Sequence, residues 1–430
     1  METTILFVLP WLPYPLTTGG HQAIFNGLMA ARDVANIVIT YREYEDCGNY
    51  KEELSSIMGG NVQILPYKEA SEQVVRSTTI MHRAYNFYAS CKHRINHVIK
   101  RGLGIEERGT ASTPVPAYRE WIRELYPTDL SFAKHVNAII ERHNVTIVQC
   151  EMIRNLSIAY SLPQNVKKIF VHHELRTVVR TQELYDMQGD DLEKKAYLNF
   201  YAANEVALLN YFDCVVTLSK IDADKLRDMG VSTQVYPSFA VVTNQHIIPS
   251  GKVRRHVLSF VGSGGHSPNK HGLIWFLENC WDTLLGYDGE YRLQVIGEWP
   301  AEDRLSLMEH YSNVDFLGFV EDLFSALDGT IMIVPIIRGS GIRMKILEAA
   351  KMGVPVVTTT IGAEGLPLEN GTHCLIADDP EHFVASIQNY DEESLRIRVV
   401  DNASLAMKER YSFEAFRKNR QELYKYINCC

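Results

Sequence analysis

The sequence predicts an α/β protein built from two Rossmann-like, doubly wound parallel-sheet domains that face each other across a cleft. Three observations carry this expectation. Short apolar runs alternate with helix-like stretches along most of the 430 residues. Those runs are predominantly apolar rather than strictly alternating, as in strands covered on both faces. The alternation stops in the turn-rich stretch Pro237-Ser238-Phe239 to Lys252 and starts afresh at Leu258.

In the first half the strand candidates are Ile5–Leu9, Ala35–Thr40, Val62–Leu65, Val145–Cys150, Ile169–Val171, Val215–Leu218 and Gln234–Tyr236. In the second half they are Leu258–Val261, Leu293–Ile296, Val314–Phe316, Ile331–Val334 and Val354–Val357. Sheets of this kind bind ligands outside the carboxyl ends of their strands, so two facing sheets make a cleft. The expected boundaries are 1–240, 252–408 and a last helix within 410–430, where Ser412 caps an amphipathic stretch free to pack on either half. Residues 68–127 break the pattern. Between Arg76 and Arg108 only Glu106 and Glu107 oppose the basic side chains, and Tyr85, Phe87 and Tyr88 interleave. This reads either as a basic helical insertion touching an anionic membrane or acceptor, or as a solvated helix face.

Composition narrows the class. Hydrophobic residues at 46% and charged residues at 22% suit a globular enzyme with a sizeable core. The net charge of -9 disfavours a nucleic-acid partner. The eight cysteines form no Cys-x-x-Cys pair and several sit in apolar runs, which reads as reduced core thiols in a cytoplasmic protein. Ile5 to Leu9 reads as a buried strand rather than a signal peptide, and no run approaches the length of a membrane span.

The most informative segment runs from Arg338 to Gly365. Strand Ile331–Val334 leads into Arg338-Gly339-Ser340-Gly341-Ile342 and then a helix. Glycines flanking Ser340 let backbone N–H groups approach a ligand closely. The helix start is a ready anion site, and Arg338, Arg343 and Lys345 add positive charge. A diphosphate is the anion this suits, since Arg grips two oxygens and Lys supplies a point charge. Glu348, further along the helix, is placed to accept from ribose hydroxyls, its plainer reading being a surface ion pair.

Here the chain resembles glycosyltransferase family 4. The resemblance rests on the glycine turn and helix with Leu347-Glu348-Ala349, Gly353-Val354-Pro355-Val356-Val357 and Gly362-Ala363-Glu364-Gly365-Leu366. It extends to Phe316-Leu317-Gly318-Phe319-Val320, to Phe260-Val261-Gly262-Ser263 and to Ser267-Pro268-Asn269. It is strong over Leu258 to Ile376 and weaker before. It implies a GT-B fold and transfer of a sugar from a UDP- or GDP-linked donor to a glycan, lipid-linked or small-molecule hydroxyl, with retention of anomeric configuration. It also implies that Gly318, Phe319 and Val320 lie against the nucleobase and that Gly262 and Ser263 border the cleft. One departure stands out. The family often has two glutamates eight positions apart; Glu348 fits the second, but Ser340 stands at the first, where a carboxylate would contact donor sugar hydroxyls.

In the first half, Gly19 and Gly20 follow the first strand and open a helix without Gly-x-Gly-x-x-Gly spacing, so no nicotinamide site is indicated. The resemblance places both glycines beside the donor diphosphate. His172 and His173 end a strand on the ligand side, followed by Glu174, which is placed to support an imidazole. They read as groups orienting the sugar or acceptor hydroxyl, or as core histidines; the spacing is not a zinc motif. Asp222-x-Asp224 reads as part of a helix cap with Ser219 rather than a metal site. No metal or cofactor is expected, because the helix start, Arg343 and Lys345 can neutralise the leaving diphosphate. Two rival readings are a GT-B sugar-nucleotide epimerase or hydrolase and a catalytically silent nucleotide-sugar binding subunit.

Overall fold

The computed structural model describes residues 3–42, 48–68, 117–184, 187–242, 253–254 and 256–429. The basic stretch 76–108, most of the 68–127 segment and residues 243–252 of the linker lie outside the described residues.

Seven strands form the first sheet: β1 (Thr4–Leu9), β2 (Asn36–Tyr41), β3 (Val62–Ile64), β4 (Ile147–Glu151), β5 (Lys167–His172), β6 (Cys214–Thr217) and β7 (Gln234–Pro237). Their order is β3-β2-β1-β4-β5-β6-β7, all parallel. Six strands form the second: β8 (Val257–Val261), β9 (Arg292–Ile296), β10 (Val314–Gly318), β11 (Ile331–Val334), β12 (Val356–Thr358) and β13 (Leu375–Ile376), in the order β10-β9-β8-β11-β12-β13, again all parallel. Each expected strand is present within a residue or two. The unexpected one, β13, is only two residues long and offers no apolar run to read.

Apolar runs become parallel strands because both faces are covered. On β1, Leu6 and Val8 enter one core while Ile5, Phe7 and Leu9 enter the other. The second sheet divides alike, with Ile333 in one layer and Met332 and Val334 in the other. In each sheet the strand order reverses beside its first strand, between β1 and β4 and between β8 and β11. Such switch points leave a crevice at the carboxyl ends. The loops after β1, β4, β8 and β11 therefore lie where ligands are bound.

The helices that matter to the site are α1 (Gly19–Ala31), α2 (Arg176–Leu184), α3 (Asp191–Leu209), α4 (Lys220–Asp228), α5 (Ser267–Phe276) and α6 (Met344–Met352). Two more close the chain. α7 (Glu393–Arg410) packs Ala403, Ala406 and Met407 against Met344, Leu347 and Ala350 of α6. α8 (Phe413–Cys429) packs on the first sheet, where Leu423, Tyr424 and Ile427 join the core containing Ile5 and Phe7. Asn419 ties α8 to the end of β7 by accepting from Ser238 Oγ at 2.8 Å and Tyr236 OH at 3.2 Å. Ser412 caps α8 as expected, through the Ala415 N–H. Among the described residues, no helix is long and apolar enough to cross a membrane.

Candidate active site

The loop after β11 reverses the chain twice. Gly339 and Gly341 have φ of 124° and 78°, conformations that favour glycine. A Cβ on Gly341 would lie 2.5 Å from the His173 carbonyl oxygen, so the two halves touch here and leave no room for a side chain. Ser340 Oγ accepts from the Leu175 N–H at 3.2 Å, and the Gly339 N–H donates to Gln182 Oε1 of α2 at 2.5 Å. The second-half loop is thus held by the segment following β5.

Arg343 stands at the cap of α6 and is buried, and, two residues on, Lys345 is half-buried with its ammonium enclosed, an unusual state for two neighbouring cations. Lys345 Nζ donates to Val261 O and to Asn269 Oδ1, the latter at 2.8 Å, and sits 5.1 Å from the Phe260 ring centroid. Arg343 Nη1 donates to Gly341 O, and its Nη2 has no partner. Their hydrogen bonds go to neutral acceptors, and the carboxylates that favour their charge, Glu348 for Lys345 and Glu364, Glu174 and Asp222 for Arg343, act without a direct ion pair. Burial, with Arg343 beside it, pulls the Lys345 ammonium down to about 7; burial also lowers Arg343. His266, at the start of α5, is lowered by burial and by the nearby Lys345, Arg343 and Arg176, while Glu174 opposes. Buried, unpaired positive charge at a helix start is what an anionic ligand stabilises.

Glu348, one turn further on, accepts from Gln22 Nε2 of α1 at 2.7 Å. Both residues are buried, and Gln22 Oε1 has no partner. Burial raises Glu348 above the ordinary carboxylate range, with Gln22 and Lys345 opposing. Gly19 lies against α6 itself: a Cβ there would come within 2.9 Å of Met344 Cγ. Gly20 faces the Met152 side chain. The ion pair of Lys225 with Glu364, at 2.6 Å, adds another bridge between the halves.

The two histidines differ. His172 is sealed inside, with Nε2 3.1 Å from Glu205 Oε1. Burial disfavours the Glu205 carboxylate, but hydrogen bonds from His172 and Thr177 hold it below the ordinary range. His173 sits at the interface, its Nε2 2.6 Å from Glu151 Oε2 at the end of β4. Glu174 supports neither imidazole, contrary to expectation; it pairs with Arg176 at 3.3 Å, because the chain turns into α2 and carries it toward the cationic loop.

Residues 255–391 match the family model described as "Glycosyl transferases group 1". Over that segment the chain carries the signature of the group 1 glycosyltransferases. A Klebsiella pneumoniae relative, described as an uncharacterized 44.6 kDa protein in cps region, is 24% identical over 263 residues, covering 59% of this chain and 66% of that one. Among solved structures, sucrose-phosphate synthase from Thermosynechococcus elongatus covers 100% of both chains with a TM-score of 0.71 at 14% identity. Anabaena HepE in complex with UDP-glucose matches with a TM-score of 0.67 at 13% identity, over 99% of this chain and 100% of that one. An S. aureus TarM variant in complex with UDP matches at 0.63 and 12% identity, over 98% and 100%. These likenesses show the fold, which is GT-B.

The structure brings Gly19, Gly20, His173, Gly339, Ser340, Gly341, Arg343, Lys345 and Glu348 to one interface. Gly262 and Ser263 join through Asn269, whose Nδ2 donates to Ser263 O at 3.1 Å while its Oδ1 holds Lys345. Ile342 packs against Gly365, and Arg338 is half-buried. The turn Gly318-Phe319-Val320 leaves Phe319 59% exposed, an aromatic face open to stacking, while Val320 packs beside the second-half core. Asp222 and Ser219 form the expected cap of α4, with the Asp222 N–H 3.0 Å from Ser219 Oγ, and Asp224 pairs with Lys220 and Arg227. His256, Asp288 and Glu290 also converge, but before β8 and β9, at the amino edge away from the site. Sequence reasoning missed Gln22, Gln182, His266, Glu151 and Glu205. Only Glu151 carried a signal, as a charge closing the apolar strand Ile147–Glu151.

Proposed function

We propose that this transferase moves a sugar from a UDP-linked donor to a hydroxyl of a glycan or lipid-linked acceptor, with retention of anomeric configuration. The observation that carries this reading is the pair of enclosed cations at the start of α6, Arg343 and Lys345, bonded to neutral acceptors. The donor diphosphate lies on the Gly339–Ile342 backbone and on these side chains, with Arg338 at the edge. Glu348 takes the ribose hydroxyls and the Gly318–Val320 turn takes the base. UDP is preferred over GDP because structures sharing the fold are described with UDP and UDP-glucose. A glycan acceptor is supported by the relative from a cps region.

In the reaction the bond from the anomeric carbon to the diphosphate oxygen breaks as the acceptor oxygen bonds to that carbon, and the acceptor hydroxyl's proton passes to the leaving diphosphate oxygen. Charge builds on the leaving diphosphate through an oxocarbenium-like state. The helix start, Arg343 and Lys345 stabilise that charge from positions fixed by their bonds to Gly341, Val261 and Asn269, which limits reorganisation. His173, against the donor loop, orients a hydroxyl of the sugar or acceptor, and His172 stiffens the strand end through Glu205. Ser340 replaces a carboxylate at the sugar-facing turn, which disfavours epimerase or hydrolase chemistry needing an acid/base there.

The test is product analysis with UDP-sugars, with and without hydroxyl acceptors, reading anomeric configuration by NMR. The expected product is a retained glycoside formed only with acceptor. Free sugar as sole product, or an epimerised nucleotide sugar, would overturn the reading.

A further inference from the structure

β4 is a central strand, and its residues facing α8 are Ile147, Gln149 and Glu151. Ile147 is core. Gln149 and Glu151 are equally enclosed, at 0% and 2% exposure. Two polar side chains in such a place are tolerated only when hydrogen-bonded, and these two are joined in a line. Tyr424 OH of α8 donates to Gln149 Oε1 at 2.8 Å. Gln149 Nε2 donates to Glu151 Oε1 at 2.5 Å, and Glu151 Oε2 meets His173 Nε2 at 2.6 Å. The line begins inside the last helix and ends at the histidine whose carbonyl abuts Gly341.

We propose that Glu151, backed by Gln149 and Tyr424, is the positioning group of His173, and that His173 presents Nδ1 to a substrate hydroxyl. A carboxylate only accepts, so the ring nitrogen facing Glu151 carries the hydrogen. In the neutral ring the lone pair then sits on Nδ1, the nitrogen left for a ligand. Gln149 donates to the other Glu151 oxygen and is itself fixed by Tyr424, so the carboxylate cannot rotate away. This links α8 to the site through the Tyr424 hydroxyl. The role of Nδ1 rests on His173 being a cleft residue, as proposed above; the tautomer does not.

The experiment is nitrogen-15 NMR of the full chain labelled at histidine, with the His173 signal assigned by its loss in His173→Asn. The expected wild-type spectrum shows hydrogen on Nε2 and none on Nδ1. Glu151→Leu is expected to mix the tautomers and lower kcat about tenfold with donor KM unchanged, since it removes a group that orients the ring and none that holds the donor. Tyr424→Phe is expected to shift the same signals by less. A wild-type ring with hydrogen on Nδ1 overturns the proposal, as does a folded Glu151→Leu protein with unchanged kcat. If Glu151→Leu does not fold, the wild-type spectrum and Tyr424→Phe decide. Full turnover in His173→Ala would instead remove the functional reading of His173 and leave the spectral expectation standing.

Discussion

Lys345 is a cation that the folded chain holds in no direct ion pair, and this has consequences that can be measured. Its folded pKa of about 7 lies well below the ordinary 10.5, because burial disfavours the ammonium. Between those values the unfolded lysine binds a proton that the folded one does not. Its contribution to the stability of the empty protein therefore rises with pH across that window. A bound diphosphate reverses the bias and restores the charge. Nucleotide binding at pH 8 is then expected to take up a proton, and binding below about pH 6 to take up none at Lys345. Calorimetry in buffers of different ionisation heat reads this directly, and the uptake should vanish in Lys345→Ala. The same variant is expected to lose about 10²–10³-fold in kcat, the usual effect of removing one preorganised donor to a developing charge. A Lys345→Ala enzyme with full turnover would contradict the mechanism. The lysine was legible in the sequence because its neighbours are: glycines, a strand before it and a helix after it. Gln22 was not, because nothing near residue 22 says that residue 348 will face it.

Among the elements, the loop from Gly339 to Gly341 depends on its backbone. Gly341 combines positive φ with a carbonyl 2.5 Å from its missing Cβ. Gly341→Ala is expected to destabilise the protein by about 1–3 kcal/mol from the backbone term alone, measured by urea unfolding, and to weaken donor binding by separating the loop from His173. An Ala variant of wild-type stability and activity would show that the halves do not meet there. α2 contributes differently. Gln182 holds both the N–H and the carbonyl of Gly339, the latter at 3.5 Å, from the other half of the chain. Gln182→Ala is expected to raise donor KM more than it lowers kcat, since it frees the loop but removes no charge; steady-state kinetics decide. Strands and their order followed from apolar runs and turn formers. β13 did not, because two residues cannot show a period. Gln182 and Glu205 look like ordinary helix surface residues in the sequence, and only the packing of α2 and α3 under β5 gives them partners.

At the scale of the whole molecule, two sheets with matching switch points place four loops opposite one another, and the terminal helix returns to the first sheet. That return matters for stability. Leu423 is fully enclosed in the core containing Ile5 and Phe7. Leu423→Ala is expected to cost about 2–5 kcal/mol, and a loss under about 1 kcal/mol in urea unfolding would show the helix to be peripheral. The two-sheet plan was readable from periodicity, and the donor segment from its glycines and cations. The contacts between halves were not, because they join residues hundreds of positions apart, as Gln22 with Glu348 and Lys225 with Glu364 do. The central claim is that the start of α6 is a nucleoside-diphosphate site. Calorimetric titration of UDP, GDP and ADP into the wild-type chain and into Lys345→Ala tests it most directly. The account predicts saturable binding of UDP to the wild type, weakened at least about tenfold in the variant, which corresponds to about 1.4 kcal/mol. Wild-type protein that binds none of the three, or a variant that binds UDP equally well, would contradict it.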